Sequence, residues 1–179
     1  MPPAGGTVFI GSSTFTKWTS LEKEKEFSFL KPINRGFGGS TLPEVNYYFK
    51  ELVAKYKPAK VVVYAGTNDI ADGQSGKDVF NSLREFLKLA HQALPEAQVY
   101  FISMSVAPCR LHLSAKYDEG NRLIKALAAE DKHFHYIDVV PVMRDERGQL
   151  RRDYFGLDNL HMNRKGYEAW IPVLAKNLQ

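Results

Sequence analysis

Apolar and polar positions alternate along this chain in two periods, and the switches between them predict its elements. Val8-Phe9-Ile10 is an apolar run that stops at Gly11-Ser12-Ser13. That is the profile of a buried strand ending in a sharp turn. An amphipathic segment around Trp18 and Leu21 predicts a helix after it, and Lys31 to Asn34 a short second strand. Arg35-Gly36-Phe37-Gly38-Gly39-Ser40 is a glycine loop, where backbone adopts unusual dihedrals or approaches something closely. Thr41 and Glu44 have capping-box spacing, with Pro43 tolerated in the first turn. Val45, Tyr48, Phe49, Leu52, Val53 and Tyr56 continue at helical spacing until Pro58.

Lys60 to Ala65 is an almost unbroken apolar run, the mark of a strand covered on both faces, and it ends in Gly66-Thr67-Asn68-Asp69. A polar loop is expected to Lys77, then a helix with Val79, Leu83, Phe86, Leu87 and Ala90 on one stripe, closed by Pro95. Val99 to Met104 predicts the fourth strand, with an exit loop over Val106 to Leu113 that carries Pro108, Cys109, Arg110 and His112. Tyr117, Leu123, Ile124 and Leu127 mark a helix, and Phe134 to Asp138 the fifth strand. Val139 to Asn159 has no period. The last helix carries Tyr167, Trp170, Ile171 and Leu174, with Pro172 expected to kink or shorten it. Strands alternating with helices imply a three-layer α/β/α sandwich around a flavodoxin-like parallel sheet of about five strands.

Length and composition narrow this picture. At 179 residues, 44% apolar and 25% charged, the chain is expected to form one domain over residues 1–179 with a full core. No segment approaches the ~20 apolar residues of a membrane helix, so no membrane partner is expected. The net charge of +4 comes from 24 basic residues mixed among 20 acidic ones, as in Glu22-Lys23-Glu24-Lys25-Glu26, a solvated face and not a nucleic-acid stripe. Met1 to Gly6 carries no leader pattern, which favours the cytoplasm, although a processed leader leaves no trace. The one cysteine, Cys109, excludes an internal disulfide and is expected to pack near the pocket. Oligomeric state is not legible here.

Parallel strands share a direction, so the loops at Ser13, Gly39 and Asn68 fall on one edge of the sheet, where open α/β folds bind ligands. Asp158 and His161, just before the last helix, can turn inward from one tight loop. Together these supply a nucleophile, a base, an orienting acid and three donors for an oxyanion: the Ser13 and Gly39 N–H groups and the Asn68 amide. Each set taken alone has a plainer explanation, as a helix cap, a tight turn or a turn-stabilising side chain. Ser12 competes with Ser13 as nucleophile, and register favours Ser13. Asp138 competes with Asp158, and hydrogen bonding within its own loop is the simpler role for it. His133 and His135 share a strand face without a third ligand nearby, so no metal is expected.

Gly11-x-Ser13, Asn34-x-Gly36-x-x-Gly39, Gly66-x-Asn68-Asp69 and Asp158-x-x-His161 resemble the four blocks of the SGNH hydrolases, the GDSL-type esterase/lipase superfamily. The family's first block usually reads Gly-Asp-Ser, and here Ser12 stands at the aspartate's place. The resemblance implies a serine esterase without cofactor or metal, acting on a small-molecule ester. Ser13, His161 and Asp158 would be its triad, and Ser13, Gly39 and Asn68 its oxyanion hole. No apolar lid is visible, and Arg144 to Asp153 is charged, so short acyl groups, acetate to butyrate, are expected, with sugar O-acetyl esters among the options. A different function fits part of the same pattern. Ser12-Ser13-Thr14-Phe15-Thr16 could be the phosphate loop of a flavodoxin-like flavin- or phosphate-binding module, which would leave Asn68 and the Asp158–His161 pair without a task.

Overall fold

The apolar runs form β1 (Thr7–Gly11), β2 (Pro32–Asn34), β3 (Lys60–Tyr64), β4 (Gln98–Ile102) and β5 (Phe134–Ile137) in a computed structural model that describes residues 4–179. The reading of Met1 to Gly6 as free of a leader pattern rests partly on residues 1–3, which lie outside the described ones. All strands are parallel, in the order β2-β1-β3-β4-β5. The expected α/β/α architecture is therefore borne out, with the flavodoxin-like strand order.

Alternation within each central strand builds a core on either face. Val8 and Ile10, Val61 and Val63, and Val99 and Phe101 point to one side. There they meet α2 (Leu42–Tyr47), α3 (Phe49–Leu52), α5 (Gly76–Ala93) and α6 (Ser114–Leu127). Phe9, Val62, Tyr64, Tyr100 and Ile102 point to the other, against α1 (Ser13–Lys17) and α7 (Arg164–Asn177). On that second face Trp18 packs between Phe27, Tyr167 and Trp170.

Strand order reverses between β1 and β3, so the carboxyl ends of these two strands frame the crevice where such sheets bind ligands. Gly11 closes that crevice tightly. Its φ is +147°, and a Cβ there would lie 2.0 Å from the Tyr64 carbonyl oxygen, so the turn out of β1 requires glycine.

Four local expectations are corrected. The helix foreseen around Trp18 and Leu21 ends at Lys17, and 3₁₀ turns at Leu21–Lys23 and Lys25–Leu30 follow, because Trp18 turns inward to its aromatic partners. The helix foreseen from Val45 to Tyr56 breaks at Tyr48 and again at Val53, although Thr41 and Glu44 do make the capping box. The polar loop after β3 holds a short helix, α4 (Thr67–Ala71), before α5. Pro172 does not shorten α7, which runs on to Asn177. Pro172 and Glu168 both lie on the exposed side, so the Glu168 carbonyl that loses its partner faces water. Among the described residues no helix is long and apolar enough to cross a membrane.

Candidate active site

Ser13 opens α1 directly after the β1 turn, half-buried, while its neighbour Ser12 is 2% exposed and donates its N–H to the Tyr64 carbonyl at 3.2 Å. The two serines are thus distinguished by geometry. Ser13 Oγ lies 3.0 Å from His161 Nε2, and Ser12 faces inward. The Tyr167 hydroxyl donates to the Thr14 carbonyl at 2.8 Å and ties α1 to α7 beside this contact.

His161 sits at the end of a tight loop. Its Nδ1 is 2.6 Å from Asp158 Oδ2, and Asp158 Oδ1 accepts the N–H groups of Leu160 and His161, each at 3.0 Å. One carboxylate thereby shapes the loop and holds the ring. The Gly156 N–H donates to the His161 carbonyl at 2.8 Å, and Asn163 caps α7 by accepting from Lys165 and Gly166. The hydrogen bond from His161 holds the Asp158 carboxyl well below the usual carboxylate range, aided by the two N–H donors. With Nδ1–H donating its hydrogen bond to the ionised Asp158, Nε2 carries the lone pair that can accept from the Ser13 hydroxyl.

The three donors expected from the sequence lie on three segments. Ser13 N–H, in the first turn of α1, and Gly39 N–H, at φ +78° in its exposed loop, have no protein acceptor among the described residues. Asn68 lies in the first turn of α4, where its Nδ2 donates to the Ser40 carbonyl at 3.0 Å and keeps a second hydrogen free. The buried Asp69 beside it accepts the Leu42 N–H at 3.0 and 3.2 Å, fastening the start of α2 to α4. Burial pushes the Asp69 carboxyl up despite that donor.

The cavity over Ser13 holds about 30 Å³ and is walled by Tyr64, Tyr117, Met143, Phe155 and Trp170. Arg110 also lines it, and its guanidinium donates to Asn68 Oδ1 at 3.1 and 3.2 Å and to the Thr67 carbonyl at 3.1 Å. The sequence reading named Arg110 only as part of an exit loop. The available signal was a cation in a loop at the carboxyl edge of the sheet. Tyr117, read as helix stripe, brings its hydroxyl 3.4 Å from the Thr67 carbonyl.

Other singled-out residues lie elsewhere. Asp138 accepts from the Val140 N–H within its own loop and from Ser103 Oγ just past the end of β4. His133 and His135 both contact the Gln98 side chain. Cys109 is exposed and does not pack as expected; its backbone N–H, donating to the Asn159 carbonyl at 3.1 Å, is what the fold uses. The segment foreseen as a phosphate loop opens a helix of only five residues, with the Ser13 hydroxyl turned to His161.

The model of the GDSL-like lipase/acylhydrolase family matches residues 11–169. A candidate acylhydrolase from Bacteroides fragilis superposes with a TM-score of 0.84 at 24% identity, over 99% of this chain and 89% of that one. A GDSL-like lipase from Bacteroides thetaiotaomicron gives 0.80 at 23%, over 96% and 86%. An acetyl-xylooligosaccharide esterase from Geobacillus, solved as a point mutant, gives 0.75 at 16%, over 99% and 96%. Among curated proteins, no sequence matches the chain.

Proposed function

The chain belongs to the GDSL-like lipase/acylhydrolase family and is a carboxylic ester hydrolase, and from that premise we propose that Ser13, His161 and Asp158 are its catalytic triad. Residues 1–179 then act as one catalytic domain. The observation that carries this is the unbroken path from Ser13 Oγ to His161 Nε2 at 3.0 Å and from Nδ1 to Asp158 at 2.6 Å.

Ser13 Oγ attacks the ester carbonyl as its proton passes to His161 Nε2, and Asp158 stabilises the imidazolium that forms. The oxyanion is met by the Ser13 and Gly39 N–H groups and the free Asn68 Nδ2 hydrogen. His161 returns the proton to the leaving alcohol, which leaves an acyl-Ser13 ester. Water, deprotonated by the same imidazole, attacks that ester; collapse releases the acid and restores the serine. No step needs a metal or cofactor.

The acyl group is short. The cavity over Ser13, about 30 Å³ between aromatic walls, has room for a small group such as acetyl. A polar alcohol suits the polar groups at the cavity, Ser105, Asn68 and Arg110 among them, and the Geobacillus neighbour is an acetyl-xylooligosaccharide esterase. Sugar O-acetyl esters are therefore the favoured class. The test is kcat/KM for p-nitrophenyl acetate, butyrate, octanoate and palmitate, below any micelle threshold, beside an acetylated xylooligosaccharide. Acetate and butyrate should lead by at least about tenfold, since acyl methylenes beyond what the cavity holds overpack it at a cost of about 1–3 kcal/mol. A maximum at octanoate or longer contradicts the short-acyl assignment.

A further inference from the structure

We propose that Arg110 is a positioning residue for the oxyanion hole: it fixes and polarises the Asn68 amide from behind, so that the free Nδ2 hydrogen points at the developing charge. This rests on the oxyanion role given to Asn68 above.

An asparagine amide has two orientations of nearly equal shape, and only its partners choose between them. Here both ends are specified. Arg110 presents two N–H donors to Oδ1 at 3.1 and 3.2 Å, and the Ser40 carbonyl accepts from Nδ2 at 3.0 Å. Flipping the amide would set NH₂ against a guanidinium and oxygen against a carbonyl oxygen, which is repulsive at both ends. Without Arg110 only the Ser40 contact opposes the flip.

The second effect is electronic. A cation on Oδ1 draws density from the amide and makes its remaining N–H a stronger donor, as in any hydrogen-bonded chain with a charge at one end. The guanidinium also brings a positive charge one amide away from the oxygen that becomes negative, in a partly dry pocket where such charge is weakly screened.

The fold holds Arg110 in place for this. It sits at the kink between two short 3₁₀ turns over Pro108–Leu113 after β4, with φ −115° and ψ 15°, and its own N–H donates to the Ala107 carbonyl at 2.9 Å. The adjacent Cys109 N–H donates to the Asn159 carbonyl, inside the Asp158–His161 loop. Arg110 also bonds the Thr67 carbonyl, to which the Tyr117 hydroxyl points at 3.4 Å. This kinked segment therefore grips the helix that carries Asn68 and the loop that carries the base. The guanidinium is the only part of it that reaches Asn68 Oδ1 among the described residues.

A double-mutant cycle on p-nitrophenyl acetate tests this, with Arg110→Met, Arg110→Lys, Asn68→Ala and the paired variants. Asn68→Ala should lower kcat by roughly 10²–10³. Arg110→Met should lower kcat by roughly ten- to a hundredfold, the range for a charged hydrogen-bond partner, while KM moves less than about threefold. In the Asn68→Ala background that loss should shrink to less than about threefold, and Arg110→Lys should recover part of the wild-type rate. If Arg110→Met fails to fold, Arg110→Lys run through the same cycle decides, by whether its loss also vanishes without Asn68. An equal loss in both backgrounds overturns the coupling, as does a mutant that chiefly raises KM. An unchanged kcat in Asn68→Ala overturns the oxyanion role itself, and with it this inference.

Discussion

Asp158 does two things with one carboxylate: its Oδ1 accepts two backbone N–H groups of its own loop, and its Oδ2 takes the imidazole. Because the His161 hydrogen bond and those N–H groups hold its carboxyl well below the ordinary value, it stays ionised at any pH used for assay. Asp158→Asn keeps the size of the side chain but removes the anion that orients the imidazole, so kcat should fall by up to about 10⁴-fold while the fold is kept. Steady-state kinetics on p-nitrophenyl acetate, beside urea unfolding of the same protein, check it. An unchanged kcat would assign the orienting role to a group other than Asp158.

Elements meet at the site through contacts that no local pattern encodes. Glu24, in the segment between two 3₁₀ turns, is 8% exposed and accepts from Trp18 Nε1 at 3.2 Å, Ser20 Oγ at 2.6 Å and both Nη groups of Arg164, at the start of α7. It thus locks the segment that follows α1 to the helix that follows His161. The Arg164 hydrogen bond, chiefly, holds the Glu24 carboxyl below its ordinary value of 4.5. A depressed acid stabilises the fold above its unfolded-state value and loses that contribution as pH falls through the folded one. Arg164 is half in solvent, which screens the pair, so Glu24→Gln should cost about 1 kcal/mol in urea unfolding near neutral pH. The gap between mutant and wild type should close on acidification below the ordinary carboxyl range. A gap that is constant with pH would mean that shape, and not charge, holds the segment. The central strands were legible in the sequence because burial on both faces makes β1, β3 and β4 nearly continuous apolar runs. The surrounding helices were less so, since Trp18 leaves its helix for partners at Tyr167 and Trp170, about 150 residues away.

At the scale of the whole molecule, parallel strands bring widely separated short motifs to one crevice, and this is why the four blocks could be read from the chain in order. What they could not reveal is how the loops support each other. Arg110 and Asn68 are 42 residues apart and meet only because β3 and β4 are neighbours. The flavodoxin-like strand order alone is compatible with binding or catalysis; the family match and the contact of His161 with Ser13 separate the two. The central claim is that Ser13 is the attacking atom's residue, and covalent capture addresses it most directly. Wild-type protein treated with paraoxon, followed by intact mass and peptide mapping, should gain one diethylphosphoryl group, located on Ser13, with ester turnover lost in step. Ser13→Ala should remain unlabelled and inactive while keeping its fold. A label on Ser12, or full turnover in Ser13→Ala, would contradict the account.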